Sequence, residues 1–163
     1  MSTAPKASLA DRLHLFVATG FYSGLSPVAP GTAGTAAAAL LAYGLSLTSL
    51  PANITLASLF VLSCLLCLVS GQPAERLLGK KDPGAVVMDE FAGFYVSLLT
   101  LSATWPTLGE YIVAFGLFRL FDIAKPTPAR QLQSLGGARG ILLDDVAAGL
   151  YALVGVTVYR DFL

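Results

Sequence analysis

Charged residues are scarce in this 163-residue chain: lysine, arginine, aspartate and glutamate together make up 12% of it. Average proteins carry roughly 25%, so the chain has unusually little polar surface to offer to water. The formal net charge is zero, which argues against nucleic acid as a partner, because recognition of nucleic acid begins with a basic surface. With 55% apolar residues, the composition predicts a membrane protein; the alternative is a soluble helical protein with an apolar dimer interface.

Cysteine and histidine are also rare. Cys64 and Cys67 lie close together inside an apolar run, too near each other on one helix for an easy disulfide, and are interpreted as small buried side chains. His14 is the single histidine, so these residue types cannot supply a soft metal cluster. No cleaved signal peptide is expected, because charged residues precede the first apolar run without a clean cleavage pattern.

Long apolar runs separated by proline- and glycine-rich breaks predict an all-α fold, and no strand-type alternation competes with the helices. A short helix is expected from about Leu9, with Ser8 as its cap and Asp11 completing a capping box. Longer helices are predicted over 32–50, 54–70, 82–102, 107–124 and 140–159, with a polar loop over 71–81. The chain is therefore predicted to be one domain, 1–163, a small helical membrane protein. It has about four to five core helices after a short N-terminal helix and a disordered tail over 1–8.

Positive charges fall on alternate loops between the predicted helices, whereas the loops around Pro51 and Trp105 have none. Cytoplasmic loops carry an excess of lysine and arginine, so the N-terminus and the basic loops are predicted to face the cytoplasm. Arg160 is the exception to this pattern. The residues that set the topology are Lys6, Arg12, Arg76, Lys80, Lys81, Lys125, Arg130 and Arg139.

Five carboxylates fall near the predicted cytoplasmic ends of apolar helices. Acidic side chains are costly within membrane helices and by default indicate a functional site. Carboxylates without a cysteine or histidine set favour a hard cation, with magnesium preferred over zinc. The alternative is that these acids form buried ion pairs with Arg119, Lys125, Arg130 and Arg139. The five acids are Asp89, Glu90, Asp122, Asp144 and Asp145.

Two of the acids have a glycine one helical turn further on. Asp89 precedes Gly93, and Asp145 precedes Gly149 at the same spacing, which predicts close approach of another backbone or of a ligand. The other acid of each adjacent pair points about 100° away on a helix. We therefore expect one acid of each pair to bind metal and the other to have a different role.

Basic and glycine residues beside these acids are candidates for phosphate binding. Guanidinium groups suit phosphate oxygens, so Arg119, Lys125 and Arg130 are predicted phosphate contacts; ion pairing or contact with anionic lipid are alternatives. Gly31 and Thr32 open a helix whose backbone N–H groups can cradle a phosphate. A simple turn between helices explains that segment almost as well, and no Walker motif is present.

Four stretches of the sequence resemble a known family when taken together and in order. They are GLSPVAPGT at 24–32, MDEFAG at 88–93, FRLFDIAKPTP at 118–128 and GGARGILLDD at 136–145. The family that they resemble is phosphatidylglycerophosphatase A. The resemblance implies an all-helical fold, a magnesium-dependent phosphomonoesterase and a lipid substrate made in the cytoplasmic leaflet, although the family also has soluble relatives of the same fold.

The resemblance also transfers the family's site residues onto this chain. They are Asp89, Glu90, Arg119, Asp122, Asp144 and Asp145. We expect catalytic roles for Asp89, Glu90, Asp122 and Asp145. The expected metal ligands are these four with Asp144. Attack by metal-activated water is the default expectation, and an aspartyl-phosphate intermediate is the alternative.

The expected reaction is hydrolysis of phosphatidylglycerophosphate to phosphatidylglycerol and phosphate, in a multi-pass protein of the bacterial inner membrane whose site faces the cytoplasm. One rival is a small transporter, suggested by the repeated Asp-to-Gly spacing; another is a non-catalytic protein that binds anionic lipid. Phosphotransferases that use CDP-activated lipids need a motif that is missing here. The single histidine excludes phosphohistidine chemistry with a second histidine, and no Cys-x5-Arg or Asp-x-Asp-x-Thr/Val motif occurs.

Overall fold

A computed structural model describes residues 8–81, 83–99, 102–135 and 137–162, with Ala138 described only by its backbone. These residues form seven α-helices and one turn of 3-10 helix, and they contain no strand. The predicted all-α class is therefore confirmed. The helices are α1 Leu9–Ala18, α2 Pro30–Ser46, α3 Ala52–Leu78, α4 Met88–Ser97, α5 Leu108–Ala124, α6 Ala129–Gln133 and α7 Gly137–Phe162, and the 3-10 turn is Ser23–Leu25.

Capping boxes fix the starts of α1 and α5, as the sequence predicts for α1. The Ser8 hydroxyl accepts the Asp11 N–H at 3.1 Å, and the Asp11 carboxylate accepts the Ser8 N–H at 2.8 Å. These hydrogen bonds from Ser8 hold the pKa of Asp11 below its ordinary value. Thr107 and Glu110 repeat the arrangement at α5. Reciprocal caps satisfy N–H groups that have no partner within the helix. The tail predicted over residues 1–8 otherwise lies outside the described residues.

The predicted helix over 82–102 is wrong in its bounds, because α4 is the ten-residue segment Met88–Ser97. Pro83 opens a turn instead of a helix, and its carbonyl accepts the Val86 N–H at 2.9 Å. The Val87 N–H then donates to the Ala18 carbonyl at 2.9 Å, which draws the chain out before the helix begins. At 1.5 Å per residue α4 is about 15 Å long, too short to cross a bilayer.

Helix α4 is the centre of the bundle. Every one of its residues except Glu90 is buried, and it contacts α2, α3, α5 and α7. Phe91, Phe94 and Tyr95 supply its largest buried side chains. The acids at its first turn are therefore held inside the bundle, and the surrounding helices determine what they contact.

Two surrounding helices, α3 and α7, are long and apolar enough to cross a membrane by length and composition. Helix α3 continues to Leu78, so the loop predicted over 71–81 is wrong up to that residue, and the chain leaves the helix only at Gly79. Its extra turns stay helical because Ser70, Gly71 and Ala74 are buried on a helix that contacts α1. Together with the apolar side chains that α3 and α7 expose, these lengths are consistent with a small helical membrane protein.

The remaining helix bounds differ modestly from the prediction. Helix α2 ends at Ser46 instead of near Leu50, and α7 extends from Gly137 to Phe162. The short helix α6 was not predicted. Arg160, the exception in the charge pattern, forms an ion pair with Glu110. The partner carboxylate compensates its charge, so Arg160 is weaker evidence against the predicted topology than its position suggests.

Helices α4 and α7 cross at a pair of glycines. A Cβ atom added to Gly149 would lie 2.2 Å from the Gly93 carbonyl oxygen, and one added to Gly93 would lie 2.7 Å from the Asp145 carbonyl oxygen. Side chains cannot occupy these positions unless the helices separate. The glycine after each predicted acid therefore admits another backbone, which is one of the two outcomes that the spacing predicts.

We expect Gly149→Ala to lower the free energy of unfolding by about 3 kcal/mol, because the added methyl group meets backbone instead of a flexible side chain. Thermal unfolding in detergent measures this change. Gly116→Ala on α5 is the matched control, since nothing lies within 4 Å of the added methyl group, and alanine favours the helix by up to about 1 kcal/mol. Equal stability of the Gly149 variant and the wild type would contradict the close crossing.

Candidate metal and phosphate site

Three carboxylates from two helices meet inside the bundle. Asp89 and Glu90 lie in the first turn of α4, and Asp145 comes from α7. One carboxylate oxygen from each lies within 4.8 Å of the others. Asp89 and Asp145 are buried, and the Glu90 side chain is 13% exposed. The folded chain therefore concentrates negative charge at one point with little access to water.

Each of these carboxylates has an oxygen that lacks a compensating contact. Asp89 Oδ1, Glu90 Oε2 and Asp145 Oδ2 are buried and have no hydrogen-bond partner among the described residues. Burial of an ionised carboxylate is costly unless a cation or hydrogen-bond donors compensate it. The donor set, carboxylate oxygens from three residues, suits a hard divalent cation. The site thus has both the ligand chemistry and the uncompensated charge that a bound metal would satisfy.

The two acid pairs behave differently from each other. The expectation that the members of each pair diverge is wrong for Asp89 and Glu90, because the longer Glu90 side chain brings its carboxylate back beside Asp89. The side chains of the second pair do diverge: Asp145 joins the cluster, while Asp144 forms an ion pair with Lys125. The angle between two residues on a helix therefore does not predict where their carboxylates lie when the side chains differ in length.

Arg119 on α5 places a positive charge within ion-pair distance of the cluster. Its Nη1 lies 2.7 Å from Asp122 Oδ2 and 3.9 Å from Glu90 Oε1. Asp122 in turn lies beside Asp145. Arg119 Nε is buried and has no hydrogen-bond partner in the part of the chain that the structure describes. The guanidinium group thus contacts two acids and keeps a donor that these contacts do not use.

The beginning of α2 lies directly against this arginine. A Cβ atom on Gly31 would lie 2.4 Å from Glu90 Oε1 and 3.0 Å from Arg119 Nη1, so a larger residue would displace the ends of these two side chains. Pro30 is at the first helical position, and Thr32 follows Gly31 in the first turn. The first N–H groups of a helix have no partner within it and carry partial positive charge. These N–H groups can therefore donate hydrogen bonds to an anion that lies beside Arg119.

Lys125 and Arg130, the other predicted phosphate contacts, are placed differently. Lys125 ends α5 and forms an ion pair with the buried Asp144. Burial alone would lower the pKa of Lys125, but the ion pair with Asp144 outweighs burial and raises it above its ordinary value. Lys125 therefore stays cationic. Arg130 and Arg139 are exposed, and neither is joined to these acids by an ion pair within the described ranges, so the ion-pair alternative describes Arg119 and Lys125 alone.

The residues that position the start of α4 were not identified from the sequence. Val87 packs where a Cβ atom on Gly34 would lie, at 2.6 Å from that position, and the Ala85 carbonyl oxygen lies 2.2 Å from the position of a Cβ on Gly24. Both glycines belong to the stretches that carry the family resemblance or adjoin it. The two glycines are visible in the sequence. The reason for them is contact with the segment before α4, and the sequence alone does not show that contact.

A bundle of apolar helices with buried carboxylates beside an arginine and a helix N-terminus defines a class: helical membrane-type proteins with an acidic, oxygen-ligand site. Residues 16–160 match the family model described as phosphatidylglycerophosphatase A. The chain belongs to the phosphatidylglycerophosphatase A family, and it is a phosphoric monoester hydrolase of phospholipid metabolism.

Curated relatives cover most of the chain. It is 40% identical to the phosphatidylglycerophosphatase A of Haemophilus influenzae, over 93% of this chain and 90% of the relative. It is 34% identical to the Escherichia coli protein of the same name, over 89% and 81%. A putative phosphatidylinositol-3-phosphatase of Bacteroides thetaiotaomicron is 37% identical, over 91% and 94%. No solved structure matches the chain.

Proposed function

We propose that this chain is a magnesium-dependent lipid phosphatase that converts phosphatidylglycerophosphate to phosphatidylglycerol and inorganic phosphate. The observation that carries the proposal is the meeting of Asp89, Glu90 and Asp145 beside Arg119. This arrangement combines oxygen ligands for a cation with a donor for a phosphate. Membership of the family supports the same reaction.

Magnesium suits the donor set because it prefers oxygen ligands and is bound in enzymes through a few carboxylates together with substrate phosphate. Asp89, Glu90 and Asp145 would hold it, with Asp122 and Asp144 as the remaining candidates. When bound, magnesium polarises a phosphoryl oxygen and makes water a stronger nucleophile. Asp144 is engaged by Lys125, so we assign it to positioning that lysine beside the site.

The phosphate of the substrate would be held opposite the carboxylates. Arg119 offers its guanidinium group, and the backbone N–H groups of Gly31 and Thr32 add uncharged donors at the positive end of α2. Lys125 adds a second cation at the end of α5. Arg130, exposed on α6, would contact the lipid headgroup region from outside the site instead of the reacting phosphate.

The reaction needs two proton transfers, one from the attacking water and one to the leaving glycerol oxygen. Water forms the new P–O bond and loses a proton, the bond to the glycerol oxygen breaks, and that oxygen gains a proton. We assign the first proton to Glu90 Oε2 as a general base, in addition to the metal contact proposed for Glu90, because this oxygen is buried without a hydrogen-bond partner in the described segments. Asp122, beside both Arg119 and Asp145, is the candidate for the second transfer.

The helices and the charges support a membrane setting. Helices α3 and α7 would cross the bilayer, with the start of α4, the end of α5 and the start of α2 meeting at one end of the bundle. The basic residues of the predicted cytoplasmic loops belong to that end, because they follow α3 and α5. We infer a multi-pass protein of the bacterial inner membrane with its site toward the cytoplasm.

An assay of released phosphate tests this function. The purified chain in mixed micelles with phosphatidylglycerophosphate should release inorganic phosphate when magnesium is present, and EDTA should stop the release until magnesium is restored. Release that is unaffected by EDTA would contradict metal dependence. A parallel arm with phosphatidylinositol 3-phosphate distinguishes the two lipids after which the relatives are named, and lipid binding without phosphate release would favour the non-catalytic rival.

A further inference from the structure

A groove of about 410 Å³ lies between α2 and α5. Its walls are apolar or aromatic and carry no formal charge. Ala39, Leu40 and Tyr43 line it from α2, and Tyr111, Ile112 and Phe115 line it from α5. Leu40 and Ile112 are more than half exposed, so the groove opens along the outer face of the bundle, where a membrane protein meets lipid.

Both walls of the groove lead to the proposed phosphate contacts. On α5, Arg119 lies one turn beyond Phe115, on the same helix face. On α2, Ala36 and then Thr32 lie on the face of Leu40, one and two turns back toward the helix start. Three turns separate Tyr43 from Thr32, about 16 Å at 1.5 Å per residue. A chain lying in the groove therefore points toward the site.

The two helices touch at both ends of the groove. At the site end, a Cβ on Gly31 would be 3.0 Å from Arg119 Nη1. At the far end, the rings of Tyr43 and Tyr111 meet edge to face with their centroids 5.8 Å apart. Between these contacts Ala39 presents a small side chain to the groove. The groove thus has an apolar body beside an aromatic contact, and its lining residues nearest the site are Ala39, two turns from Thr32, and Phe115, one turn from Arg119.

A larger groove of about 960 Å³ lies on another face of the bundle, against α3 and α7. It is lined by Ala57, Val61 and Leu153 among others. Neither α3 nor α7 carries Arg119 or Gly31, so this groove does not continue along the helices that carry the phosphate contacts. Of these two grooves among the described residues, the α2–α5 groove is the one that shares both of its walls with those contacts.

We propose that the α2–α5 groove holds an acyl chain of the lipid substrate while its phosphate lies at Arg119 and Thr32; this inference rests on the proposed function. The length from Thr32 to Tyr43 suits an extended hydrocarbon chain attached through a glycerol headgroup. The groove then selects lipid phosphates over water-soluble phosphate monoesters, and the Tyr43–Tyr111 contact limits how far the chain reaches.

Ala39→Leu tests the proposal by placing a larger side chain in the body of the groove. Phosphate release is measured with dipalmitoyl and with dihexanoyl phosphatidylglycerophosphate in the same micelles. We expect kcat/KM for the long-chain lipid to fall by about tenfold, because a misplaced substrate loses alignment with the site. The short-chain lipid should react at the wild-type rate, which also shows that the variant is folded.

Ala57→Leu is the matched control, since it adds the same side chain to the α3–α7 groove and should leave both rates unchanged. If Ala39→Leu changes kcat/KM by the same factor for both lipids, or changes neither, the acyl-chain assignment is overturned. A reduction on both lipids with an altered oligomeric state would assign the groove to a second copy of the chain instead. Absence of release by the wild type from either lipid would refute the proposed function itself.

Discussion

Asp145→Asn is expected to reduce kcat/KM for lipid phosphate by about a hundredfold to a thousandfold, the range seen when one preorganised electrostatic contact is lost. Asparagine has the shape of aspartate but not its charge, so the cluster loses one of its three converging carboxylates. Steady-state release of phosphate from phosphatidylglycerophosphate measures the effect. Asp89→Asn should behave in the same way.

Stability distinguishes this result from simple unfolding. Because Asp145 is buried with an oxygen that lacks a described partner, removing its charge should not lower, and is expected to raise, the melting temperature in EDTA. The wild type alone should gain stability when magnesium is added, since a ligand that binds only the folded state stabilises it. Asp11→Asn, at an exposed capping box, is the control for activity. Wild-type turnover by the Asp145 variant would reject the site.

Arg119→Lys is expected to lower kcat/KM by about a hundredfold, although it keeps the positive charge. The guanidinium group reaches Asp122 and Glu90 together and keeps Nε as a further donor, whereas an ammonium group is a single point charge. A displacement near 1 Å costs about this much when it misaligns a substrate. Kinetics at saturating magnesium measure the loss.

Arg130→Lys is the matched control for the arginine prediction. Arg130 is exposed on α6, and the same substitution there should change kcat/KM by less than about twofold, as is usual for a surface contact. Should the Arg130 variant lose more activity than the Arg119 variant, the exposed arginine would be the phosphate contact, and the role given to Arg119 would be wrong.

Helix starts could be predicted where the signal is local. Ser8 with Asp11 satisfies neighbouring N–H groups within a few residues, so the sequence contains the whole interaction. The start of α4 depends instead on the hydrogen bond from Val87 to Ala18, a partner far along the chain. Proline is common at the first position of a helix, so Pro83 predicts a helix start. The hydrogen bond from Val87 to Ala18 instead keeps this segment out of a helix until Met88.

The site was predictable in composition but not in arrangement. Carboxylates within apolar helices are rare enough to mark Asp89, Glu90 and Asp145 from the sequence. Which acids converge depends on side-chain length and on the neighbouring helix, so the placement of Glu90 beside Asp89 and the pairing of Asp144 with Lys125 required the fold.

The α2–α5 groove could not be predicted, because small side chains leave no mark of what lies opposite them. The alanines at 36–39 read only as a simple helical run in the sequence. In the fold Ala39 lines the groove opposite α5, and its lack of bulk leaves space along α2. A small side chain indicates a groove only when the helix opposite it is known.

Binding of manganese, as a paramagnetic substitute for magnesium, tests the central claim most directly. Electron paramagnetic resonance of the purified chain in detergent counts the bound ion without reference to turnover. We predict saturable binding by the wild type that magnesium displaces and that Asp89→Asn and Asp145→Asn each abolish or weaken by at least about tenfold. Equal manganese binding by the wild type and both variants would show that these carboxylates do not form the metal site.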